Sequence, residues 1–188
     1  MAAAGGCLQQ PEGEVAETAP TNGRNHGLPP DDLEQLESLF SETFGRFGVR
    51  LTRGSLQDGR TRQASAAGTH LALYVEPLAE PWTNSRYLET MVPLTKTLTP
   101  SVFDRWPELE SFDICQEPAG EYNADQTPVT AVDLSRRAAH ALESGDDLLT
   151  LMLAAYRDPG AIRVSVSEEV RAEPAFQAVL EEVKRQSA

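Results

Sequence analysis

Thr69-His70-Leu71-Ala72-Leu73-Tyr74-Val75-Glu76-Pro77 is the stretch on which the reading of this chain turns. Leu71, Leu73 and Val75 fall on one side of an extended segment, with Ala72, Tyr74 and Glu76 on the other. That period of two marks a strand with one packed face and one wetter face. Pro77 closes it, because proline has no N–H to give to a ladder. Strands buried on both faces of a parallel sheet read as continuous apolar runs, and this one does not. The pattern predicts an α+β domain, with helices chiefly on one face of the sheet, rather than a doubly wound parallel sheet.

Four other segments match it. Val49 and Leu51 alternate with Arg50 and Thr52, and the polar stretch Gly54 to Gly68 then reads as a hairpin loop. Phe112 and Ile114 define a third strand ended by Glu117-Pro118. Val129 to Leu134 gives a fourth, and Ile162, Val164 and Val166 a fifth. The expectation is a mixed or mainly antiparallel sheet of about five strands.

Helical spacing fills the intervals. Leu33, Leu36, Leu39, Phe40 and Phe44 form an apolar stripe behind Asp31 and Glu34, whose spacing resembles a capping box. A helical region from about Thr83 to Trp106 carries Tyr87, Leu88, Met91 and Leu94. Pro93 and Pro100 are expected to interrupt it, with Thr99-Pro100 starting a second short helix. Ser135 reads as the cap of a helix through Leu142. Asp146 or Asp147 caps a strongly apolar helix, and Pro174 opens a terminal one.

The 188 residues fit one domain and a tail. Residues 1–30 carry almost no large apolar side chains and are expected to stay disordered, because they cannot offset their ordering entropy. The domain is expected over 31–188. The formal charge of −13, with no basic run longer than Arg136-Arg137, argues against nucleic acid as a partner and against an anionic membrane surface. No window holds the roughly 20 apolar residues of a membrane-spanning helix.

The wetter sheet face is where polar groups converge. Alternation assigns to it Arg50, Thr52, His70, Tyr74, Glu76, Asp113, Cys115, Glu117, Arg163 and Ser165. Arg50, His70, Tyr74, Asp113 and Arg163 are the candidate ligand-binding residues, for a small polar ligand or a protein partner. The competing reading is a solvated face with ordinary cross-strand ion pairs. Glu76 and Glu117 each stand just before a strand-ending proline, which makes them candidates for acid–base work in a hydrolase. The competing reading is two carboxylates beside turns.

His70, Asp113 and Glu117 are suitable metal-ligand types, but they come from separate strands with no ligand spacing, so no metal is assigned. No phosphate loop, nucleophile elbow or cofactor motif is present, and no cofactor is expected. Cys115, beside Gln116 and Glu117, reads as a small buried hydrophobe rather than a nucleophile.

The opening residues carry one resemblance. Ala2-Ala3-Ala4-Gly5-Gly6-Cys7 resembles the lipobox that ends a bacterial lipoprotein signal peptide. The resemblance implies that Cys7 carries the lipid, that the tail after it is a tether, and that the domain works at the extracytoplasmic face of the cell membrane. Taken as written, without a charged and apolar leader, the chain reads instead as a cytoplasmic interaction module. Either form is compatible with a homodimer through an exposed sheet face or edge. The first function expected is therefore non-enzymatic binding, and the hydrolase is its rival.

Overall fold

A computed structural model describes residues 29–30, 32–65, 68–79, 81–120, 127–142 and 147–187. The lipobox-like residues with Cys7, the tail over 1–28 and the expected cap Asp31 lie outside the described residues. The fold is α+β. Five strands, β1 (Val49–Gln57), β2 (His70–Pro77), β3 (Ser111–Gln116), β4 (Thr130–Ser135) and β5 (Ile162–Val166), form one sheet in the order β1-β2-β3-β4-β5. All neighbours pair antiparallel except β2 and β3, which run parallel. Parallel neighbours need a crossover. Here it is α2 (Asn84–Arg105).

The first helix, α1 (Leu33–Phe47), is capped by Asp32, whose Oδ1 accepts from the backbone N–H of Glu34 at 2.8 Å and of Gln35 at 3.3 Å. It buries Leu36, Phe40 and Phe44 and ends at Gly48, whose φ of 71° is the left-handed turn that glycine adopts without strain. A 3₁₀ helix spans Arg136–Leu142, where an α-helix was expected. Three α-helices complete the chain: α3 (Leu148–Arg157), capped by Asp147, the single turn α4 (Glu168–Arg171), and α5 (Pro174–Ser187).

Helix and strand side chains meet in one hydrophobic cluster. Leu36, Phe40 and Phe44 from α1 join Met91, Leu94, Leu98 and Val102 from α2, and Leu151 from α3. From the sheet come Leu51, Leu56, Leu71, Leu73, Phe112, Ile114, Val132, Leu134 and Ile162. A smaller cluster of Leu88, Val170 and Phe176 ties α2, α4 and α5 together.

Three expectations are corrected. The β1 strand runs on to Gln57, so only the residues after it form the connection to β2. What hid the extra strand is a bulge: Thr52 has no partner, while Leu51 faces Val75 and Arg53 faces Tyr74. One extra residue reverses the alternation, so Gly54 to Gln57 fall out of step with Val49 and Leu51.

The second correction concerns α2, which is continuous through Pro93 and Pro100. The two prolines are seven residues apart and share a face, away from buried Met91, Leu94, Leu98 and Val102. The N–H groups they lack would have bonded the carbonyls of Glu89, which is exposed, and Lys96, which is half-buried. A proline-bearing outer face lets a helix curve around its core instead of breaking. The third correction is the 3₁₀ turn after β4. It is held by Arg136, whose guanidinium donates to the carbonyls of Phe103 (3.0 Å) and Trp106 (2.5 Å) at the C-terminal end of α2 and of Leu109 (2.9 Å) in the connection that follows.

Candidate functional site

The ladder register shows what the polar face holds. Arg50 stands opposite Glu76, Arg53 opposite Tyr74, and Tyr74 beside Cys115. In the next row Ala72, Asp113, Asp133 and Arg163 follow one another across β2 to β5, and in the row below His70, Ser111 and Ser135.

The residues expected on this face separate into three groups. At the Pro77 end of β2, Arg50, Thr52, Glu76, Glu117, Pro118 and Gly120 line one cleft of about 360 Å³ together with Leu51 and Glu37 of α1. Both carboxylates at strand ends thus reach the same concavity. Their side chains are only 8% and 7% exposed, and each is held by its own arginine. Arg50 Nε donates to Glu76 Oε1 at 2.7 Å, and Arg50 Nη2 reaches the same oxygen. Arg53 Nη2 donates to Glu117 Oε1 at 2.5 Å, and Thr52 Oγ1 lies 2.9 Å from Glu117 Oε2 and 3.0 Å from the Tyr74 carbonyl. Tyr87 Oη donates to the Glu117 carbonyl at 3.2 Å, anchoring the end of β3 to α2.

Arg53 was not anticipated. Its guanidinium carbon lies 3.8 Å from the centroid of the Tyr74 ring, a cation–π stack that places the arginine between the cleft and the middle of the sheet. Burial pushes the Tyr74 phenol up to about 12, with nearby negative groups adding to it, so the ring stays neutral at physiological pH. A signal for Arg53 does exist in the sequence. Leu51 and Leu56 are both apolar yet five residues apart, and two such residues share a strand face only if one extra residue lies between them.

The second group is covered. His70, on the polar face by register, has no exposed surface. Its Nδ1 lies 2.9 Å from Ser111 Oγ, and its Nε2 lies 3.2 Å from Asp113 Oδ2. The β1–β2 connection folds back over this end of the face: Ala64 bridges to Gln57, and Arg62 reaches across to Asp133 of β4 at 2.7 Å. Gly68 allows the close return, because a Cβ there would sit 2.1 Å from the Gln57 carbonyl oxygen. Arg62 itself holds a left-handed φ of 59°, unusual for a residue with a side chain. His70 is therefore an internal polar group and Asp113 a partly covered one, both apart from the cleft.

The third group lies at the far edge. Arg163 shares Asp133 with Arg62, at 2.5 Å. Cys115 is buried, and that burial, with Asp113 and Glu117 nearby, pushes its thiol well above the ordinary range. Such a thiol is a packing element rather than a nucleophile. Among the described residues no three His, Cys, Asp or Glu side chains are grouped to hold a metal ion. Nor is any described helix long and apolar enough to cross a membrane. Tyr87, Phe103 and Trp106 are buried, and Trp82 lies edge-on to Tyr87.

The chain matches no protein-family model, no curated protein and no solved structure.

Proposed function

We propose that this chain is a non-enzymatic binding domain that takes a cationic group, from a small polar ligand or from a protein partner, into the Glu76–Glu117 cleft. The observation that carries the reading is the charge of the cleft wall. Three carboxylates, from Glu37, Glu76 and Glu117, meet two guanidiniums, Arg50 in the lining and Arg53 bonded to Glu117, which leaves an excess of one negative charge with Glu37 as the carboxylate that neither arginine holds. The chain around it carries a formal charge of −13, so its field draws cations towards the cleft. The arginines fix the two inner carboxylates in place, and the positions are set before any ligand arrives. A preorganised site loses less entropy on binding.

The hydrolase reading needs two carboxylates in contrasting environments, one poised to donate a proton and the other to accept it. Glu76 and Glu117 are alike: each is nearly buried and each is bonded to an arginine. That symmetry favours recognition over acid–base chemistry. On the same reading, lipid at Cys7 would hold the domain at the extracytoplasmic membrane face. Mass spectrometry of the N-terminal peptide from bacteria expressing the full gene tests that part separately, with acylated Cys7 as the supporting result and an unmodified peptide as the opposing one.

Calorimetric titration tests the cleft. The tripeptide Gly-Arg-Gly and its lysine and glutamate counterparts are the probes, with Glu37→Gln as the variant. Glu37 is exposed and lines the cleft rim, so its loss leaves the fold intact. The expected result is binding of the basic peptides, weakened by salt and by Glu37→Gln. Binding of the glutamate peptide, or basic-peptide binding indifferent to Glu37, contradicts the proposal.

A further inference from the structure

The two edges of the sheet are built differently. At β1 the edge is broken by the Thr52 bulge and flanked by Arg50 and Arg53. Bulges and charges are devices that keep a sheet edge from pairing with another chain. The β5 edge has neither bulge, proline nor lysine. Its one charge, Arg163, turns along the sheet to Asp133. Among the described residues no strand pairs with the outer side of β5.

The register shows which backbone groups face outward. Ser135 N–H donates to the Ala161 carbonyl and Ser167 N–H to the Val129 carbonyl, both at 2.8 Å. In an antiparallel ladder every second residue bonds the neighbour. Arg163 and Ser165 therefore bond β4, and Ile162, Val164 and Val166 present their backbone groups to the outside. The Ile162 N–H is already taken by the Asp158 carbonyl at 3.0 Å.

We propose that β5 is the docking edge for a second copy of this chain, paired antiparallel about a two-fold axis at Val164. The occupant follows from the self-complementarity of Ile162-Arg163-Val164-Ser165-Val166 in that register. Val164 meets the partner's Val164, Ile162 meets the partner's Val166, and Arg163 meets the partner's Ser165. Apolar side chains lie opposite apolar ones and no like charges oppose each other, which matters for two chains that each carry −13. Val164 exchanges N–H and C=O with its symmetry mate, and each Val166 N–H reaches the partner's Ile162 carbonyl. The two sheets become one. This interface lies at the opposite edge from the Glu76–Glu117 cleft and leaves both cleft copies open, so it stands or falls independently of the proposed ligand.

Sedimentation velocity on the full 188-residue chain, from low micromolar to millimolar and with reductant present to exclude Cys7 disulfides, reads the association. A concentration-dependent dimer is expected. Ser165→Arg, at an exposed position, sets arginine against the partner's Arg163 twice over, and raises the dimer dissociation constant about tenfold. Val164→Pro removes an outward N–H and abolishes the dimer. A chain that stays monomeric to millimolar, including one whose β5 edge serves a different protein, overturns the proposal. So does a dimer indifferent to Ser165→Arg, which would place the interface elsewhere even if Val164→Pro fails to fold.

Discussion

Removing either partner of the Arg53–Glu117 pair should have unequal consequences, and the inequality follows from burial. The Glu117 side chain is 7% exposed and that of Arg53 is 35% exposed. Arg53→Ala strands a nearly buried carboxylate with the Thr52 hydroxyl as its remaining side-chain donor among the described residues. Breaking a fully buried pair from one side costs about 3–5 kcal/mol. Partial exposure of the site and the Thr52 contact bring this to about 2–3 kcal/mol. Glu117→Ala leaves a guanidinium that already reaches water and remains stacked on Tyr74, so exposure brings the loss to the low end of the range for a charged hydrogen bond, about 1.5 kcal/mol. In a domain of this size those losses lower the melting temperature by about 2–4 °C per kcal/mol. Urea unfolding of both single variants and the double variant measures all three values. The double variant should cost less than the sum of the singles, because the nearly buried carboxylate that Arg53→Ala strands is gone. Equal costs, or a larger loss for Glu117→Ala, would refute the assignment of Arg53 as the group that makes a buried Glu117 tolerable.

Three further outcomes are expected. Gln116 spans the core side of the sheet, donating to Thr90 Oγ1 at 2.8 Å and accepting from Thr130 Oγ1 at 2.5 Å. Gln116→Leu leaves the buried Thr130 hydroxyl without its acceptor and should cost about 1–3 kcal/mol in urea unfolding. Arg136→Met takes the guanidinium from the Phe103 and Leu109 carbonyls and leaves the Trp106 carbonyl with the Leu109 N–H alone, and hydrogen exchange should quicken at Val102 to Trp106 before the rest of the helix. Burial raises the Cys115 thiol above its ordinary 9.0, so the folded state holds its proton more tightly than the unfolded state. Stability is then level below that value and falls as pH climbs past it, and Cys115→Ala should flatten that limb of the pH–stability curve.

How much of this was legible in the sequence depended on whether the pattern kept its step. Leu71, Leu73 and Val75 read correctly because β2 is regular along its length. The second half of β1 was lost because Thr52 bulges, and an alternation rule gives no frame beyond an inserted residue. Arg53 was lost with it, although the mismatch between Leu51 and Leu56 was there to be read. Pro93 and Pro100 suggested a break because local rules do not know which helix face meets solvent. The cleft was half legible: Glu76 and Glu117 were singled out as strand-end carboxylates, but Glu37 joins them from a helix more than thirty residues away, a meeting only the fold creates. His70 and Asp113 were placed on the correct face. That the β1–β2 connection covers them depends on Arg62 reaching Asp133, 71 positions along the chain, which no local spacing encodes.

The central claim is that the Glu76–Glu117 cleft receives a cation, and an amide shift map of the nitrogen-labelled domain during titration with Gly-Arg-Gly tests it most directly. The predicted result is a saturable set of shifts confined to Thr52, Glu76, Glu117, Gly120 and Glu37, absent with Gly-Glu-Gly and weakened in Glu37→Gln. Shifts that scatter over the acidic surface, or that cluster around His70 and Arg163 instead, would contradict it.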